Sequence, residues 1–247
     1  MQFIEEIILK DLDLGVFELK TYETIDSTND ECKRISSAKD VLVITADKQT
    51  KGKGRKGKTW QSSKGNISLS VAFADKEFGV PVSIATGILV TKSLSQVLNS
   101  DSVGLKWPND LIFKGKKIGG ILVEKEVYAK FTKTIVGIGI NLELEHKESW
   151  WGDLQDFQQE NLRDHLINKI LLNFEQFLKN GLPDWQNLWD QYCIHNQKKI
   201  SVVKNQLTFE GKYFGINHDG ALLLENQHKK IIPFSSGEVS IKGIYNS

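Results

Sequence analysis

A basic, glycine-rich segment, Lys51–Lys58, has the residue types that most directly predict chemistry. Five of its eight residues are lysine or arginine, and the other three are glycine. Such a segment cannot join an apolar core, whereas glycine lets the main chain and several positive charges come close to an anion. An alternating apolar strand, predicted over Ile67–Ala74, follows it. We therefore expect a cationic loop, mounted on a sheet, of the kind that binds phosphate groups.

Three interpretations of this loop compete. Gly52, Gly54 and Gly57 have the spacing of a dinucleotide-binding turn, but that turn must open a helix and this one leads into a strand. A run of charge is also commonly a solvated loop without a site. The third interpretation is a cradle for nucleotide phosphates. Arg55 favours it, because the planar guanidinium matches phosphate geometry better than an ammonium does.

Three further segments place polar side chains beside predicted strands. In Lys106–Asp110 a proline fixes a turn that presents its polar neighbours together, although asparagine and aspartate are also ordinary turn residues. Lys117 stands before Gly119-Gly120, where the lack of side-chain bulk makes it a candidate anion ligand. Asn141 ends a strand, and its amide offers a donor and an acceptor to a heterocycle.

The elements that must position these residues follow from hydrophobic periodicity. Ser27, with Asp30 three residues later, is typical of a helix N-cap and predicts a helix over 28–36. Gly137 and Gly139 lie inside a strand, which indicates that a ligand or another backbone approaches there. The other predicted elements are strands over 16–22, 41–46, 111–113, 118–125 and 130–142, and helices over 81–98, after an Asn161 cap and from Pro183.

From residue 199 the pattern changes to short strands separated by turns. Strands are predicted over 200–203, 207–209, 212–215, 221–224, 230–233 and 239–241, and His218-Asp219-Gly220 is a hairpin-type turn. About 50 residues of this kind predict a small barrel beside a mixed-sheet domain with few helices.

Composition excludes several classes of function. The formal net charge is +1, which disfavours a general nucleic-acid binder. Cys32 and Cys193 stand alone, without metal or redox spacing, and are expected to be reduced structural residues. No apolar run approaches the ~18 residues of a membrane span, and no targeting segment precedes Val16. We expect a cytoplasmic protein with no DNA and no membrane partner.

Taken together, the motifs closely resemble those of the biotin–protein ligases, over roughly residues 20–145. In chain order they are Ser27-Thr28-Asn29, Gln49, Gly52-x-Gly54-Arg55-x-Gly57 with Trp60, Lys106-Trp-Pro-Asn-Asp110, Lys117 in Lys-Ile-Gly-Gly-Ile-Leu-Val-Glu, and Gly-Ile-Gly-Ile-Asn141. The resemblance implies an α+β fold. Its catalytic domain, related to class II aminoacyl-tRNA synthetases, would span residues 1–196, and an SH3-like β-barrel would span 197–247.

The resemblance also implies a two-step reaction. Biotin and ATP would give biotinyl-5′-AMP and pyrophosphate, and a lysine of a biotin carboxyl carrier domain would then take the biotin. Mg²⁺ and clustered cations suit this chemistry, because an anionic carboxylate must approach an anionic phosphate. A monomer and a homodimer both remain open.

Individual roles follow from the matched motifs. The implied catalytic residues are Lys117, Arg55 and Asp110. The implied biotin-binding residues are Ser27, Thr28, Asn29, Gln49, Gly52, Lys53, Gly54, Arg55, Lys117 and Gly120. The implied ATP-binding residues are Arg55, Lys58, Trp60, Lys106, Asn109, Asp110, Lys117 and Asn141. No protein-bound zinc is expected, because the five histidines contain no i,i+4 pair, and no residue is assigned as a metal ligand.

Two departures from the family pattern stand out. Lys53 occupies a position where the family usually has arginine, which keeps the charge but loses the bidentate fork. Nothing before Val16 is long enough for the DNA-binding domain of the bifunctional repressor-ligases, so we expect a ligase without repressor function. The segment 143–152, with Trp150 and Trp151, is expected to fold over the nucleotide.

Two other functions stay open at this stage. Lipoate or octanoate ligases and transferases share the fold, although the basic loop and Lys106–Asp110 favour biotin. A non-enzymatic nucleic-acid-binding protein would use the loop and the C-terminal barrel, and the net charge of +1 argues against it.

Overall fold

The computed structural model describes residues 2–145, 148–235 and 240–242. Its helices are α1 (Glu5–Ile8), α2 (Thr28–Arg34), α3 (Val82–Leu98), α4 (Leu162–Asn180) and α5 (Trp185–Tyr192). Its first seven strands are β1 (Phe17–Ile25), β2 (Val41–Gln49), β3 (Ile67–Ala74), β4 (Val103–Lys106), β5 (Asp110–Phe113), β6 (Lys116–Val127) and β7 (Thr132–Ile140). The remaining strands are β8 (Lys199–Lys204), β9 (Leu207–Ile216), β10 (Leu222–Glu225), β11 (Ile231–Phe234) and β12 (Ser240–Lys242).

Strands β1 to β7 form one mixed sheet in the order β1-β2-β3-β7-β6-β5-β4. Only the β1–β2 pair is parallel among these neighbours. Because side chains alternate between the faces of a strand, the sheet has two different faces. One face carries a large apolar core with α3 and α4, and it includes Val43, Leu69, Val71, Val136 and Ile138.

The opposite face is packed only partly. Helix α2 covers one end of it through a small cluster made by Cys32, Leu42, Ile44, Ala72 and Ile135. Farther along the same face, the aligned strands present small residues, which are Ser68 and Ser70 of β3, Gly137 and Gly139 of β7, and Gly120 of β6. Because these residues are small, space remains above them, and they form the floor of a cavity.

Strands β8 to β12 form a second, antiparallel sheet in the order β11-β10-β9-β8-β12. The predicted turn at His218-Asp219-Gly220 joins β9 to β10, and Gly220 has a positive φ of 76° that favours glycine. This confirms a small C-terminal β-module. Its closure into a barrel and the domain boundary at residue 196 stay predictions, and Val239 of the last predicted strand lies outside the described residues.

Several local predictions need correction. Helix α1 and strand β4 were not predicted. Asn161 precedes α4 but adopts φ 53° and makes no side-chain cap, so its role is a left-handed turn instead. Helix α5 begins at Trp185 rather than at Pro183, after Asp184 in the same left-handed conformation.

Two expectations about side chains and spans can also be checked. Cys32 and Cys193 are buried free thiols, as the sequence predicted. Within the described part of the chain, no helix combines the length and apolarity that crossing a membrane requires.

Candidate active site

A cavity of about 650 Å³ opens over the floor of small residues. The sequence-predicted site residues that line it are Ser27, Thr28, Asn29, Gln49, Lys53, Gly54, Arg55, Lys58, Trp60, Lys106, Asn109, Asp110, Lys117, Gly120 and Asn141. Gly52 is the exception. It lines a neighbouring cavity along the basic loop instead, and its carbonyl accepts a hydrogen bond of 2.9 Å from the Trp60 amide. A Cβ on Gly52 would come within 2.5 Å of the Trp60 carbonyl oxygen, so this glycine is needed for the path of the loop.

One end of the cavity is polar and built mainly from uncharged side chains. Ser27 caps α2 by accepting a 3.4 Å bond from the Asp30 amide, as predicted. The side-chain Oε1 of Gln49 accepts bonds from the Thr28 amide (2.9 Å) and the Thr28 hydroxyl (3.1 Å). The hydroxyl of Ser70, which the sequence did not single out, lies 2.8 Å from the Thr28 hydroxyl and 2.6 Å from the side-chain Oδ1 of Asn29. We call this group the neutral end of the cavity.

Asn29 connects the neutral end to a charged rim. Its amide nitrogen donates to Glu124 at 2.7 Å, and Lys33 donates to the other carboxylate oxygen at 2.8 Å. Burial alone would raise the pKa of Glu124, but the bonds from Lys33 and Asn29 outweigh it and lower that pKa. A Cβ on Gly137 would come within 2.5 Å of the Asn29 side chain. The strand glycine therefore admits a neighbouring side chain and not another backbone, while approach of a ligand to it stays a prediction.

Lys53 also bonds at this rim. Its ammonium lies 2.6 Å from Asp30 at the start of α2, and its side chain is 43% exposed. The lysine at the family's arginine position therefore ties the basic loop to α2 in this structure.

The other end of the cavity is cationic. Besides Lys53 at the rim, lysines 56, 58, 106 and 117 and Arg55 line the cavity, against the single carboxylate of Asp110 among its described lining residues. Lys117 contacts Asp110 at 2.6 Å, and Arg55 donates to the side-chain Oδ1 of Asn109 at 3.0 Å. Burial lowers the pKa of Arg55, and the nearby Asp110 opposes that shift. We call the group of Arg55, Lys58, Lys106, Asp110 and Lys117 the cationic end.

A β-bulge places Lys117 at this end. The pairing of β5 with β6 shifts so that Leu111 faces Gly119 and Ile112 faces Lys117, which leaves Ile118 as the extra residue. Bulges commonly re-aim a side chain. Here Ile118 is fully buried in the main core, whereas the Lys117 ammonium lies 3.7 Å from the Cβ position of Gly120 on the cavity floor.

Lys106 is the most deeply buried cation of the group, with 6% of its surface exposed. Burial, followed by a smaller repulsion from Lys117 and Lys58, lowers its pKa to about 8 despite attraction from Asp110. An anion bound here would restore the charged form, because an opposite charge raises the pKa of an amine.

Aromatic residues close the cavity from two sides. The Trp60 ring lies directly over Gly139, where a Cβ would come within 2.5 Å of it. The segment that follows β7 returns to the site, since the Lys117 amide donates to the Trp150 carbonyl at 3.0 Å and the Gly152 amide donates to the Lys117 carbonyl at 2.8 Å. Trp150 and Trp151 both line the cavity. Closure of this segment over a nucleotide stays a prediction.

The side chain of Asn141 is hydrogen-bonded to the segment that follows β7 and returns to the site. Its amide nitrogen donates to the Gly152 carbonyl at 3.1 Å. The Oδ1 atom of the same side chain remains as an acceptor for a ligand donor, because an asparagine amide carries both functions.

The described residues contain no group of three or more histidine, cysteine, aspartate or glutamate side chains that could hold a metal ion. A Mg²⁺ ion can use one carboxylate together with substrate phosphates. Asp110 could supply that one carboxylate. Mg²⁺ would then enter the cavity already bound to the phosphates of the nucleotide.

Comparison with known proteins adds independent findings. A model of the Biotin/lipoate A/B protein ligase family matches residues 21–141. The Bifunctional ligase/repressor BirA of Escherichia coli is 30% identical over 250 residues, covering 95% of this chain and 77% of that protein. The Biotin--[acetyl-CoA-carboxylase] ligase of Mycobacterium tuberculosis is 36% identical over 140 residues, covering 52% of this chain and 50% of that protein.

Among solved structures, a biotin protein ligase from Aquifex aeolicus in complex with biotin and ATP has a TM-score of 0.73 and 25% identity. The alignment covers 91% of this chain and 98% of that one. The likeness in fold therefore extends well beyond residues 21–141.

Proposed function

The chain belongs to the biotin/lipoate A/B protein ligase family and is a ligase, and from that premise we propose that it attaches biotin to protein in an ATP-dependent reaction. The proposal rests on one observation, which is that a single cavity has two chemically different ends. A neutral end rich in amide and hydroxyl groups faces a cationic end with a single carboxylate among the described residues that line it. Biotin, with a polar ureido ring and a carboxylate tail, has matching groups at its two ends.

The ureido ring would bind at the neutral end. It needs paired donors and acceptors within an otherwise enclosed pocket. Gln49 uses its carbonyl oxygen on Thr28, and among the described residues its amide nitrogen has no hydrogen-bond partner. That nitrogen can donate to the ureido oxygen, while Ser27, Thr28 and Asn29 surround the ring.

The first chemical step would take place at the cationic end. The biotin carboxylate attacks the α-phosphate of ATP, a P–O bond forms to the carboxylate oxygen, and the bond to pyrophosphate breaks. Lys117 and Arg55 would hold the carboxylate and the α-phosphate together, and Lys58 and Lys106 would bind the remaining phosphates. At an effective dielectric constant of about 20, each cation within about 4 Å contributes roughly 4 kcal/mol of gross attraction, which offsets the repulsion between two anions.

Mg²⁺ carried by the phosphates would add Lewis-acid stabilisation of the leaving pyrophosphate. Asp110 would position Lys117, and Asn109 would position Arg55, through the contacts that the two pairs make. The adenine base would lie near Asn141 and Trp60.

The second step would transfer biotin to an acceptor lysine. Its amine attacks the carbonyl carbon of the mixed anhydride, an amide bond forms, and AMP leaves. The acceptor that fits this reaction is a biotin carboxyl carrier domain. Shielding of the anhydride from water by the basic loop and by Trp150 and Trp151 would prevent loss of the intermediate.

A mass-shift assay tests the proposal. The protein is incubated with ATP, Mg²⁺, biotin and a biotin carboxyl carrier domain, and the carrier should gain the mass of one biotinyl group. A carrier whose acceptor lysine is replaced by arginine should stay unchanged. Modification by lipoate or octanoate, with none by biotin, would transfer the assignment to the related ligases. Absence of biotin-dependent pyrophosphate release would reject adenylation.

A further inference from the structure

Trp107, the first residue of the turn Trp107–Asp110 beside the cavity, is hydrogen-bonded by residues that lie outside the main sheet. Its indole nitrogen donates to the Gly220 carbonyl at 2.9 Å, and its backbone amide donates to Nε2 of His195 at 3.2 Å. Trp107 and His195 are both buried, with 1% and 0% of their surfaces exposed. Two C-terminal residues therefore fix the residue that directly precedes Pro108, Asn109 and Asp110.

The position of His195 follows from the edge of the main sheet. Strand β4 is the last strand of that sheet, so its outward backbone groups need partners. The connector after α5 supplies them, because the Ile194 amide donates to the Leu105 carbonyl at 2.9 Å and His195 accepts from Trp107 two residues farther along. Gly104 makes this approach feasible, since a Cβ there would come within 2.4 Å of the Ile194 side chain.

The imidazole must be neutral to accept this bond. Nε2 is the acceptor, so the proton of the neutral ring sits on Nδ1, which has no partner among the described residues. Burial, then Lys106 and Lys198, lower the pKa of His195 to about 3, so the ring remains uncharged throughout the neutral range. The side chain is consequently a permanent acceptor beside the site and not a proton-transfer group.

The turn that His195 anchors carries the polar contacts of the cationic end. Asn109 accepts from Arg55 at 3.0 Å and donates to the Ile121 carbonyl at 2.9 Å, and Asp110 contacts Lys117 at 2.6 Å. A small displacement of the turn would change both contacts together, and misplacement of about 1 Å can cost a large factor in rate. The neutral end, in contrast, shares no hydrogen bond with this turn in the described residues.

We propose that His195 is a positioning residue that sets the Trp107–Asp110 turn for nucleotide binding and adenylate formation. The inference rests on the proposed function, because its effect is read on the ATP-dependent step. It goes beyond the motif residues, since His195 does not line the cavity and lies in the connector to the C-terminal module.

Three variants test this assignment. His195→Leu removes the acceptor and keeps a side chain of similar bulk. His195→Gln keeps an acceptor oxygen near the position of Nε2. Tyr213→Phe is the matched control, because it removes a hydroxyl that bonds Trp189 (2.9 Å) and Asp190 (3.0 Å) in the same interface but does not contact Trp107.

Biotin-dependent pyrophosphate release and biotin titration are measured for each protein. For His195→Leu we expect the KM for ATP to rise about tenfold or more, as for loss of a buried acceptor, while the biotin Kd changes by less than about twofold. His195→Gln should recover most of the ATP effect, and Tyr213→Phe should resemble the parent. If His195 acts through the turn, adding His195→Leu to Asn109→Ala should cause little further loss.

The outcomes separate the inference from the proposed function. A parent protein that releases no pyrophosphate would reject adenylation itself. An active parent with an unchanged KM for ATP in His195→Leu, or equal losses in Tyr213→Phe, would reject the positioning role. If His195→Leu does not fold, and so fails to bind biotin, His195→Asn takes its place, because its side chain is too short to accept from the Trp107 amide. The KM for ATP is again expected to rise about tenfold or more. An unchanged KM for ATP in His195→Asn would reject the positioning role.

Discussion

The two ends of the cavity differ in how their polar and charged groups are compensated. At the neutral end, Gln49, Thr28, Ser70 and Asn29 bond to one another, so their positions are fixed by the protein alone. At the cationic end, the positive side chains outnumber the one carboxylate, Asp110, among the described lining residues. That end is balanced only when anionic ligands arrive. Under the proposed function, the comparison assigns ligand recognition to the first end and charge cancellation during the reaction to the second.

The two ends are also built by different elements. Helix α2 and strands β2 and β3 supply the neutral end, whereas the basic loop, the β4–β5 turn and the bulge of β6 supply the cationic end. Substitutions at the two ends should therefore affect different measurements. The following predictions test that separation, beginning with the largest expected effect.

Lys117→Ala should lower adenylate formation by at least about 100-fold, the cost of losing one preorganised electrostatic donor. Lys117 lies between the glycine floor and Asp110, where it can contact both the carboxylate and the α-phosphate. Lys116→Ala is the control, because that neighbouring lysine is exposed. Pyrophosphate release measured with biotin and ATP distinguishes them, and near-parent release by Lys117→Ala would remove Lys117 from the catalytic role.

The contrast between the ends shows how far the sequence could predict the site. Motif residues and most of their strands, although not β4, were predictable, because they depend on local spacing and periodicity. The bulge that turns Lys117 toward the cavity was not, since it arises from pairing with β5. Ser70, Glu124 and His195 were missed for the same reason: each acquires its role from a partner at least 41 residues away.

Arg55→Gly should harm retention of the adenylate more than its synthesis. Arg55 bonds Asn109 and so joins the basic loop to the β4–β5 turn; without it, the opened loop should release the mixed anhydride. We expect labelling of bystander proteins to increase about tenfold or more, in the range of one lost charged hydrogen bond. Lys51→Gly, an exposed change in the same loop, should not increase it. An inactive variant that releases no adenylate would contradict the retention role and leave Arg55 only its part in the chemical step.

Gln49→Ala tests the neutral end. Removal of the amide takes the acceptor from Thr28 and the proposed donor from biotin, so the biotin Kd should increase about tenfold. The KM for ATP, measured at saturating biotin, should stay within about twofold, because Gln49 bonds no residue of the cationic end in the described structure. Calorimetric titration with biotin gives the first value. An unchanged biotin Kd would argue against this placement of the ureido ring.

The smallest expected effect is a pH dependence confined to the cationic end. Because burial lowers the pKa of Lys106 to about 8, the free protein loses this positive charge as the pH rises through that value. ATP binding favours the charged form, so binding should take up a proton and its affinity should fall a fewfold between about pH 7 and about pH 9. Calorimetry in two buffers of different ionisation enthalpy measures the proton uptake directly. Lys106→Met should bind ATP more weakly but lose the uptake near pH 8, whereas biotin binding should show neither change. Equal uptake in Lys106→Met would assign the titration to another group and remove Lys106 from the phosphate site.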